Sequence, residues 1–255
     1  MSPHRNSPFE PTRAHQPPKS PPVYVRVQGK QGLFCDPHLR ADPHSLSFIT
    51  VSAAAGLLGS LYVKRGGFEW EIEKIISLTP PCFETVKQIG RKTGGTRKND
   101  LTRISVTYLK DLDYIIQARM VRNVEWGSKS IQNYYAEACR RLDKHQEFRT
   151  PHFGRAVYPL SQWDRLQASE VPKVGIDLDL DLGSVPFEMT PINISKDQWR
   201  CEFWRASVVH GVLSVPEALY AKRRPTIFAA RIKVTPDRSR NPDGTPNPAF
   251  NPVEE

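Results

Sequence analysis

The order of hydrophobic periodicities along the chain is the feature that most limits what it can fold into. The segments "VYVRVQG" (23–29) and "EWEIEKIISL" (69–78) alternate apolar and polar residues, which is typical of strands with one face on a core. Between them, "TVSAAAGLLGSLYV" places Ala, Leu and Tyr at helical spacing, with Thr50 or Ser52 as its N-cap. The first part of the folded chain is therefore predicted as strand, helix, strand.

Further segments extend this pattern. "ISVTYL" and "DYIIQARMV" predict two strands separated by Lys110 and Asp111. A helix is predicted around residues 131–144, followed by a strand at "RAVYPL". The resulting order, β-α-β-β-α-β, predicts an α+β fold with a ferredoxin-like domain of the kind shared with RNA-recognition domains.

The composition changes at both ends of the chain and again before its last third. Residues 1–22 contain seven prolines and hardly any large apolar side chain, so they are predicted to be a disordered leader, and the Pro/Asn/Asp-rich stretch 234–255 a disordered tail. "VGIDLDLDLG", "RCEFWRASVV" and "GVLSVP" are short strand patterns, and His210–Gly211 is typical of a hairpin turn. We therefore expect a ferredoxin-like domain over 23–165 and a small antiparallel β-extension over 166–233.

The charge balance indicates the class of partner. Thirty-six Lys and Arg against 27 Asp and Glu give a net charge of +9 and a pI near 9.5. This excess favours acidic partners, nucleic acid first and an anionic membrane surface second. The alternative is that the charge only keeps the protein in solution.

Neither a membrane segment nor a metal or disulfide framework is expected. No apolar stretch is long enough to cross a bilayer, and no charged-then-apolar leader opens the chain, so a cytoplasmic location is predicted. The cysteines are far apart and form no C-x-x-C pair, which favours mostly buried thiols in a reducing compartment; they are Cys35, Cys82, Cys139 and Cys201.

Two motifs resemble metal or phosphate loops without meeting their requirements. The run "DLDLDLG" puts Glu188 at the twelfth position of a calcium loop, but Leu182 stands where glycine is needed and Pro186 interrupts the loop. A half-buried strand explains the Asp/Leu alternation, so no metal and no cofactor is predicted. "KQIGRKTGGTRKND" lacks the G-K-[ST] ending of a Walker loop.

The same basic segment can still contact a polyanion. It places five cations on a glycine-rich hairpin, where each neutralised phosphate would release counterions; they are Lys87, Arg91, Lys92, Arg97 and Lys98. The alternative is a solvated basic loop with no partner. Among the histidines, His145 and His152 near the end of the second helix are the candidates for contact with RNA.

Tyr62 is a candidate for proton transfer. It stands at the end of the first predicted helix, shortly before Lys64 and Arg65. A phenol beside cations can have a lowered pKa and act as a general base. It can equally be a core ring whose hydroxyl reaches the surface.

The ordered set of segments resembles the CRISPR-associated "Cas-five" family in its type I-C (Dvulg) subtype. "GKQGLFCDPH" and "TVSAAAGLLGSLYVKR" are similar to the family's G-D-Y-A-L-F-T-R-P-E and T-P-S-A-A-R-G-I-L-E-A-I-Y-W-K-P. "YLKDLDYIIQA", "RRLDKHQEFRTPHFGRAVYP" and "RASVVHGVLSVP" are similar to later family segments in the same order. The resemblance spans about residues 23–216.

The resemblance implies both a fold and an activity. These proteins have a ferredoxin-like, repeat-associated (RAMP) fold and are the foot subunit of the Cascade complex. The type I-C members resemble metal-independent endoribonucleases that cut pre-crRNA in its repeat and keep the 5′ handle. Cleavage would use attack by a ribose 2′-hydroxyl on the neighbouring phosphate. The implied partners are crRNA, the Cascade large subunit and backbone subunits, and target DNA through the complex.

The implied site residues follow the family motifs. Tyr62 matches the family tyrosine of I-Y-W-K-P, with Tyr134, Lys129 and His145 as further catalytic candidates. The residues expected to hold RNA are Lys64, Arg65, Lys87, Arg91, Lys92, Arg97, Lys98, Arg103, Arg149 and Arg155. The family's second helix opens with a lysine where this chain has Asn133, and Lys129 lies one helical turn away. Two functions stay open: a processing endoribonuclease, and a non-catalytic RNA-binding Cascade subunit.

Overall fold

One mostly antiparallel sheet carries two helices in the computed structural model, which describes residues 17–35, 43–64, 67–91, 101–122, 129–193 and 198–221. The two longer helices are α1 (Val51–Leu61) and α2 (Ile131–Asp143), and shorter helical turns lie at Ala168–Glu170 and at 217–221. The strands are β1 (Val23–Gly32), β2 (Phe68–Ser77), β3 (Cys82–Arg91), β4 (Leu101–Arg122), β5 (Gln162–Leu166), β6 (Leu180–Asn193), β7 (Gln198–Val209) and β8 (Val212–Ser214). The α+β class is confirmed.

The strand order places β4 at the centre of the sheet. The order is β5-β1-β4-β2-β8-β7-β6, and β3 pairs with the free side of the first half of β4. Helix α1 connects β1 to β2 and α2 connects β4 to β5. In β1, Val23, Val25 and Val27 are buried while the residues between them are partly exposed. The predicted period-two pattern is thus confirmed for this strand.

Both helices begin at the polar residues that sequence rules favour. Thr50 caps α1, where its Oγ1 accepts a hydrogen bond of 3.2 Å from the Ala53 amide. Ser130 caps α2 in the same way, with the Asn133 amide as donor, and Lys144 ends that helix. The positions predicted for both helices are confirmed.

The prediction of two strands on either side of Lys110 and Asp111 is wrong. Strand β4 is continuous over 22 residues. Asp111 adopts a φ of 50°, yet its neighbours Lys110 and Leu112 pair with β1 in one register, so the strand does not end there. The first half of β4 pairs with β3 and the second half lies between β1 and β2, so hydrogen-bond partners are available along its whole length.

The predicted strand at "RAVYPL" is also wrong. The chain turns there, with the Tyr158 amide donating to the Arg155 carbonyl at 3.0 Å, and β5 begins only at Gln162. Residues 174–179 form no strand either, because Asp179 accepts a hydrogen bond from the His210 amide at the neighbouring turn. His210 and Gly211 have φ values of 48° and 71°, so the predicted turn is confirmed.

Two other expectations differ from what the chain does. Residues 17–22 were assigned to the leader, yet the Ser20 amide donates to the Met120 carbonyl at 2.8 Å and Lys19 bridges to Val121. These residues therefore extend along the end of β4. The cysteines are not mostly buried, since Cys82 is exposed and the other three are half-buried. No helix in the described residues is long and apolar enough to cross a membrane.

Candidate nucleic-acid interface

A groove of about 660 Å³ lies where the end of α1 meets α2. It brings together Tyr62, Lys129 and Tyr134, three of the predicted catalytic residues, with the predicted RNA-binding Lys64. The complete lining is Tyr62, Val63, Lys64, Lys129, Asn133, Tyr134, Ala136, Glu137, Arg140, Arg141 and Phe148. Residues far apart in the sequence thus share one concave surface.

Tyr62 is held at the end of α1 by its backbone and its ring. Its amide donates to the Leu58 carbonyl at 2.9 Å, and its carbonyl accepts from the Trp70 Nε1 at 2.9 Å. The ring centroid lies 5.3 Å from that of Phe68. Only 6% of the residue is exposed, so Tyr62 is both a core ring and a groove residue.

The pKa of Tyr62 is raised, which contradicts the predicted lowering. Burial is the largest cause, and the negative charge of Glu137 adds to it. The Arg141 guanidinium, 5.3 Å from the ring centroid, opposes these effects without reversing them. A neutral phenol of this kind donates a hydrogen bond or a proton at neutral pH and is a poor general base.

Tyr134 faces the groove from α2. Its ring centroid lies 5.4 Å from that of Phe68, so Phe68 contacts both tyrosines, and 3% of Tyr134 is exposed. Gly67 lies directly against it, because a Cβ at that position would be 2.8 Å from both Cζ and Oη of Tyr134. The Tyr134 hydroxyl can therefore lie in this place only because Gly67 has no side chain.

A carboxylate between two arginines forms another part of the lining. Glu137 accepts from Arg140 at 2.8 Å and from Arg141 at 2.7 Å. These hydrogen bonds lower the pKa of Glu137 to about 2, and the one from Arg140 has the larger effect. Lys64 and Lys129 are exposed, so the groove has an excess of positive charge suited to phosphate.

Sequence reasoning missed Glu137, Arg140, Arg141 and Phe148. A signal for the first three was present. Glu137 lies three residues after Tyr134, and Arg140 and Arg141 lie three and four residues after Glu137, which places all of them on one side of α2. Phe148 gave no such signal, because it lies beyond the helix and reaches the groove by docking on α1.

Known proteins resemble this chain in sequence. No family model matches the chain. A protein named CRISPR pre-crRNA endoribonuclease Cas5d from Mannheimia succiniciproducens is 26% identical over 223 residues, covering 76% of this chain and 94% of the relative. A protein of the same name from Thermus thermophilus is 28% identical over 214 residues, covering 77% and 92%. Over about three quarters of its length, the chain is similar to these two proteins named Cas5d.

Solved structures share the fold of this chain. A CRISPR-associated protein matches with a TM-score of 0.60 at 20% identity, over 78% of this chain and 94% of that one. A functionally uncharacterized protein from Streptococcus mutans matches with a TM-score of 0.58 at 18% identity, over 78% and 95%. At these identities the likeness concerns the fold alone.

Among the four predicted catalytic residues, His145 is the one that does not line the groove. The backbone turns at His145 with a φ of 48°, which directs the ring onto Trp163, 4.6 Å away between centroids. Its Nε2 lies 3.6 Å from Asp164 Oδ1. The expectation that it stabilises charge beside Tyr62 is therefore corrected, because its contacts are with β5.

The predicted RNA-binding residues are spread over several places. Arg149 adjoins the groove through Phe148, with its guanidinium 5.3 Å from that ring. Arg155 lines a second cavity of about 630 Å³, where its Nη2 lies 3.8 Å from Cys35 Sγ. Lys87 and Arg103 are exposed on β3 and β4. Arg91 ends β3, and nothing is described of its side chain; Arg65, Lys92, Arg97 and Lys98 lie outside the described residues.

The carboxylates of the acidic run "DLDLDLG" contact other groups of the protein. Asp181 pairs with Arg205 at 2.8 Å, and Asp179 accepts from the His210 amide. Within the described ranges there is no group of three or more His, Cys, Asp or Glu side chains that could hold a metal ion.

Proposed function

We propose that this chain is a Cascade subunit that binds the 5′ handle of crRNA and cuts pre-crRNA in its repeat. The observation that carries the proposal is the groove in which Tyr62 and Tyr134 lie with Lys64 and Lys129. Two relatives named pre-crRNA endoribonucleases support it, because each is covered over more than nine-tenths of its length.

The strand order supports a finer fold assignment. Four strands in the order β5-β1-β4-β2, with α1 and α2 as the connections, have the arrangement expected of a ferredoxin-like RAMP domain. Strands β6 to β8 then form the antiparallel extension, which joins the same sheet where β8 pairs with β2. We assign the chain to the type I-C subtype on the motif resemblance and the fold together.

The proposed chemistry is a transesterification within the RNA. The ribose 2′-hydroxyl loses its proton to water as its oxygen forms a bond to the adjacent phosphorus. The bond from phosphorus to the 5′-oxygen breaks, that oxygen gains a proton, and a 2′,3′-cyclic phosphate and a 5′-hydroxyl result. The neutral Tyr62 phenol supplies a proton or hydrogen bond to the departing or non-bridging oxygen. Lys64 and Lys129 stabilise the charge that develops on the phosphate.

Phosphate contacts outside the groove would hold the rest of the RNA. Exposed Lys87 and Arg103 extend the positive surface along β3 and β4, and Arg149 and Arg155 follow α2. We further propose that the chain contacts the Cascade large subunit and backbone subunits, and through them target DNA. Its proposed location is the cytoplasm, where these partners act.

The alternative function is a non-catalytic, RNA-binding Cascade subunit. Asn133 stands in the groove at the position where the family resemblance implies a lysine. In addition, Tyr62 and Tyr134 are only 6% and 3% exposed, so little of either phenol is available to RNA. In this case another protein would cut the repeat and this chain would hold the handle.

A metal-free cleavage assay separates the two functions. Wild type, Tyr62→Phe and Tyr135→Phe are incubated in EDTA with the repeat RNA of the neighbouring CRISPR array, and binding is measured in parallel. Tyr135 is the matched control, because it follows Tyr134 in α2 but does not line the groove. Loss of the Tyr62 hydroxyl should slow cleavage by about 10²- to 10⁴-fold with binding unchanged.

The pH dependence tests the role of the phenol. Because the pKa of Tyr62 is raised, its proton is fully present below the ordinary value of 10.0 and is lost only as pH rises beyond it. The rate ratio of wild type to Tyr62→Phe should therefore stay constant up to about pH 10 and fall above. A ratio that rises from pH 7 to 10 would make Tyr62 a base, and tight binding without cleavage by any variant would favour the alternative function.

A further inference from the structure

We propose that Phe148 is a stacking platform for an unpaired nucleobase of the bound RNA; this inference rests on the proposed function. Phe148 lines the groove that holds Tyr62, and 53% of the residue is exposed. A large aromatic ring left in water at the edge of a concave, positively charged surface is suited to stacking on a base.

The exposed position of the ring is fixed by backbone hydrogen bonds. The Phe148 amide is shared between the carbonyls of Ser60 at 3.0 Å and Leu61 at 3.1 Å. The Arg149 amide donates to the Ser60 carbonyl at 2.9 Å. These carbonyls belong to the last turn of α1, where helix geometry leaves acceptors without intrahelical donors. The segment after α2 therefore caps α1 and holds the Phe148 ring at the groove.

Arg149 makes the platform selective for nucleic acid. Its guanidinium carbon lies 5.3 Å from the Phe148 ring centroid, at cation–π distance. A guanidinium in that place can extend the stacking surface or contact the phosphate of the stacked nucleotide. With Lys64 and Lys129 on the same groove, the surroundings of the ring are cationic, which favours a base over an apolar segment of a protein.

The Phe148 ring is held close to Tyr62, the residue proposed to act in cleavage. Phe148 and Arg149 bond to the carbonyls of Ser60 and Leu61, the residues directly before Tyr62. A base held on Phe148 would thus belong to a nucleotide close to the phosphate at Tyr62. Stacking would pull this nucleotide out of a continuous helical stack and fix the adjacent backbone, which in-line attack by a 2′-hydroxyl requires.

The test couples one side chain to one base. Wild type, Phe148→Ala, Phe148→Trp and Phe83→Ala are titrated with the repeat RNA of the neighbouring CRISPR array and with copies in which one nucleotide at a time is abasic. Phe83 is the matched control, since it is 44% exposed but lies on β3 away from the groove. Cleavage is blocked by a 2′-deoxy substitution at the cut site, so that only binding is measured.

We expect Phe148→Ala to bind intact repeat RNA roughly 5- to 150-fold more weakly, the usual effect of losing one stacked base. Phe148→Trp and Phe83→Ala should bind like wild type. One abasic position should weaken wild type by a similar factor and leave Phe148→Ala unchanged, because the partner of that base is already gone.

Three results would overturn the inference. If every abasic RNA affects wild type and Phe148→Ala equally, Phe148 stacks on no base. If Phe148→Ala binds RNA normally but fails to assemble with the other Cascade subunits, the ring is a protein contact. If wild type does not bind intact repeat RNA, the proposed function itself fails, which is distinct from the first two outcomes.

Discussion

The groove at the helix ends and the arm formed by β3 and the first half of β4 both carry cations, but their surroundings differ. In the groove, two largely buried phenols pack against Phe68 and the cations surround them. On the arm, Lys87 and Arg103 stand on an exposed face. Packing therefore fixes the positions of the two phenols in the groove. The cations of the arm are exposed, and packing constrains their positions little.

The strand register explains how the arm presents its two faces. Lys87 pairs with Ser105 and Ile89 with Arg103, so these side chains share one face of the ribbon. That face includes Ile89 with 71% exposure. On the opposite face, Val106 and Tyr108 pack with Leu33 in a small core cluster. One face of the arm thus packs on the protein, and the face with Lys87 and Arg103 is exposed to solvent.

Removing two cations from each region gives the largest expected contrast. Lys64→Ala with Lys129→Ala should slow cleavage of repeat RNA by about 10²- to 10³-fold, because the charge on the transition-state phosphate loses its closest partners. Lys87→Ala with Arg103→Ala should leave the single-turnover rate unchanged at saturating protein. It should instead reduce the slope of log affinity against log salt by about 1.4, at about 0.7 per phosphate contact.

Both double variants remove the same charge, so each is the control for the other. Single-turnover rates and salt titrations on the same RNA separate the two effects. Equal losses in cleavage rate for both variants would contradict the claim that the groove cations act in cleavage and the arm cations only in binding. A groove variant that only weakens binding would also contradict this claim and would favour the non-catalytic function.

The second contrast concerns two glycines near the groove. Gly67→Ala would put a Cβ 2.8 Å from the Tyr134 ring end, and a ring that is 3% exposed has little room to move. We expect cleavage to fall by about tenfold to a hundredfold through this displacement, with a cost to the free energy of unfolding of about 1–3 kcal/mol. Cleavage and denaturant unfolding are the measurements.

Gly59→Ala is the matched control for Gly67→Ala. It lies inside α1, and its added Cβ would meet nothing within 4 Å. Alanine in a helix should raise the free energy of unfolding by about 0.5–1 kcal/mol and leave cleavage unchanged. A Gly67→Ala protein that cuts as well as wild type would show that the Tyr134 hydroxyl does not contribute.

The sequence indicated much of the groove but little of its electrostatics. Tyr62 and Tyr134 could be named because the motif order resembles a family, and Lys129 because it lies one helical turn from Asn133. Thr50 could be named as the cap of α1. The raised pKa of Tyr62 could not be predicted. It depends on burial against Phe68 and on the nearby Glu137, which only the packing of α2 on α1 brings close.

The failures in strand prediction have a common physical origin. Lys110 and Asp111 are polar and look like a turn, yet β4 continues because partners on both sides satisfy its hydrogen bonds. "RAVYPL" looks like a strand but closes a turn instead. In both segments the tertiary partners decide the conformation, and a local pattern does not contain them.

Glu137→Gln should have the smallest effect, and it tests whether charge alone governs RNA binding at the edge of the groove. It removes the carboxylate that holds Arg140 and Arg141, so both guanidiniums become available to phosphate. Binding of repeat RNA should tighten by about two- to fivefold, the size of an exposed charge interaction. Gln132→Glu, which adds a carboxylate on an exposed position of α2 outside the groove lining, is the control for charge alone.

The sign of the pH dependence follows from the lowered pKa of Glu137. The carboxylate is fully charged above its ordinary pKa of 4.5, and its pairing with the arginines is lost only as pH falls toward about 2. The gain from Glu137→Gln should therefore be constant between pH 5 and 8 in filter-binding titrations. Weaker binding by Glu137→Gln would mean that the carboxylate positions the arginines for RNA, and the groove would then depend on geometry even at its charged edge.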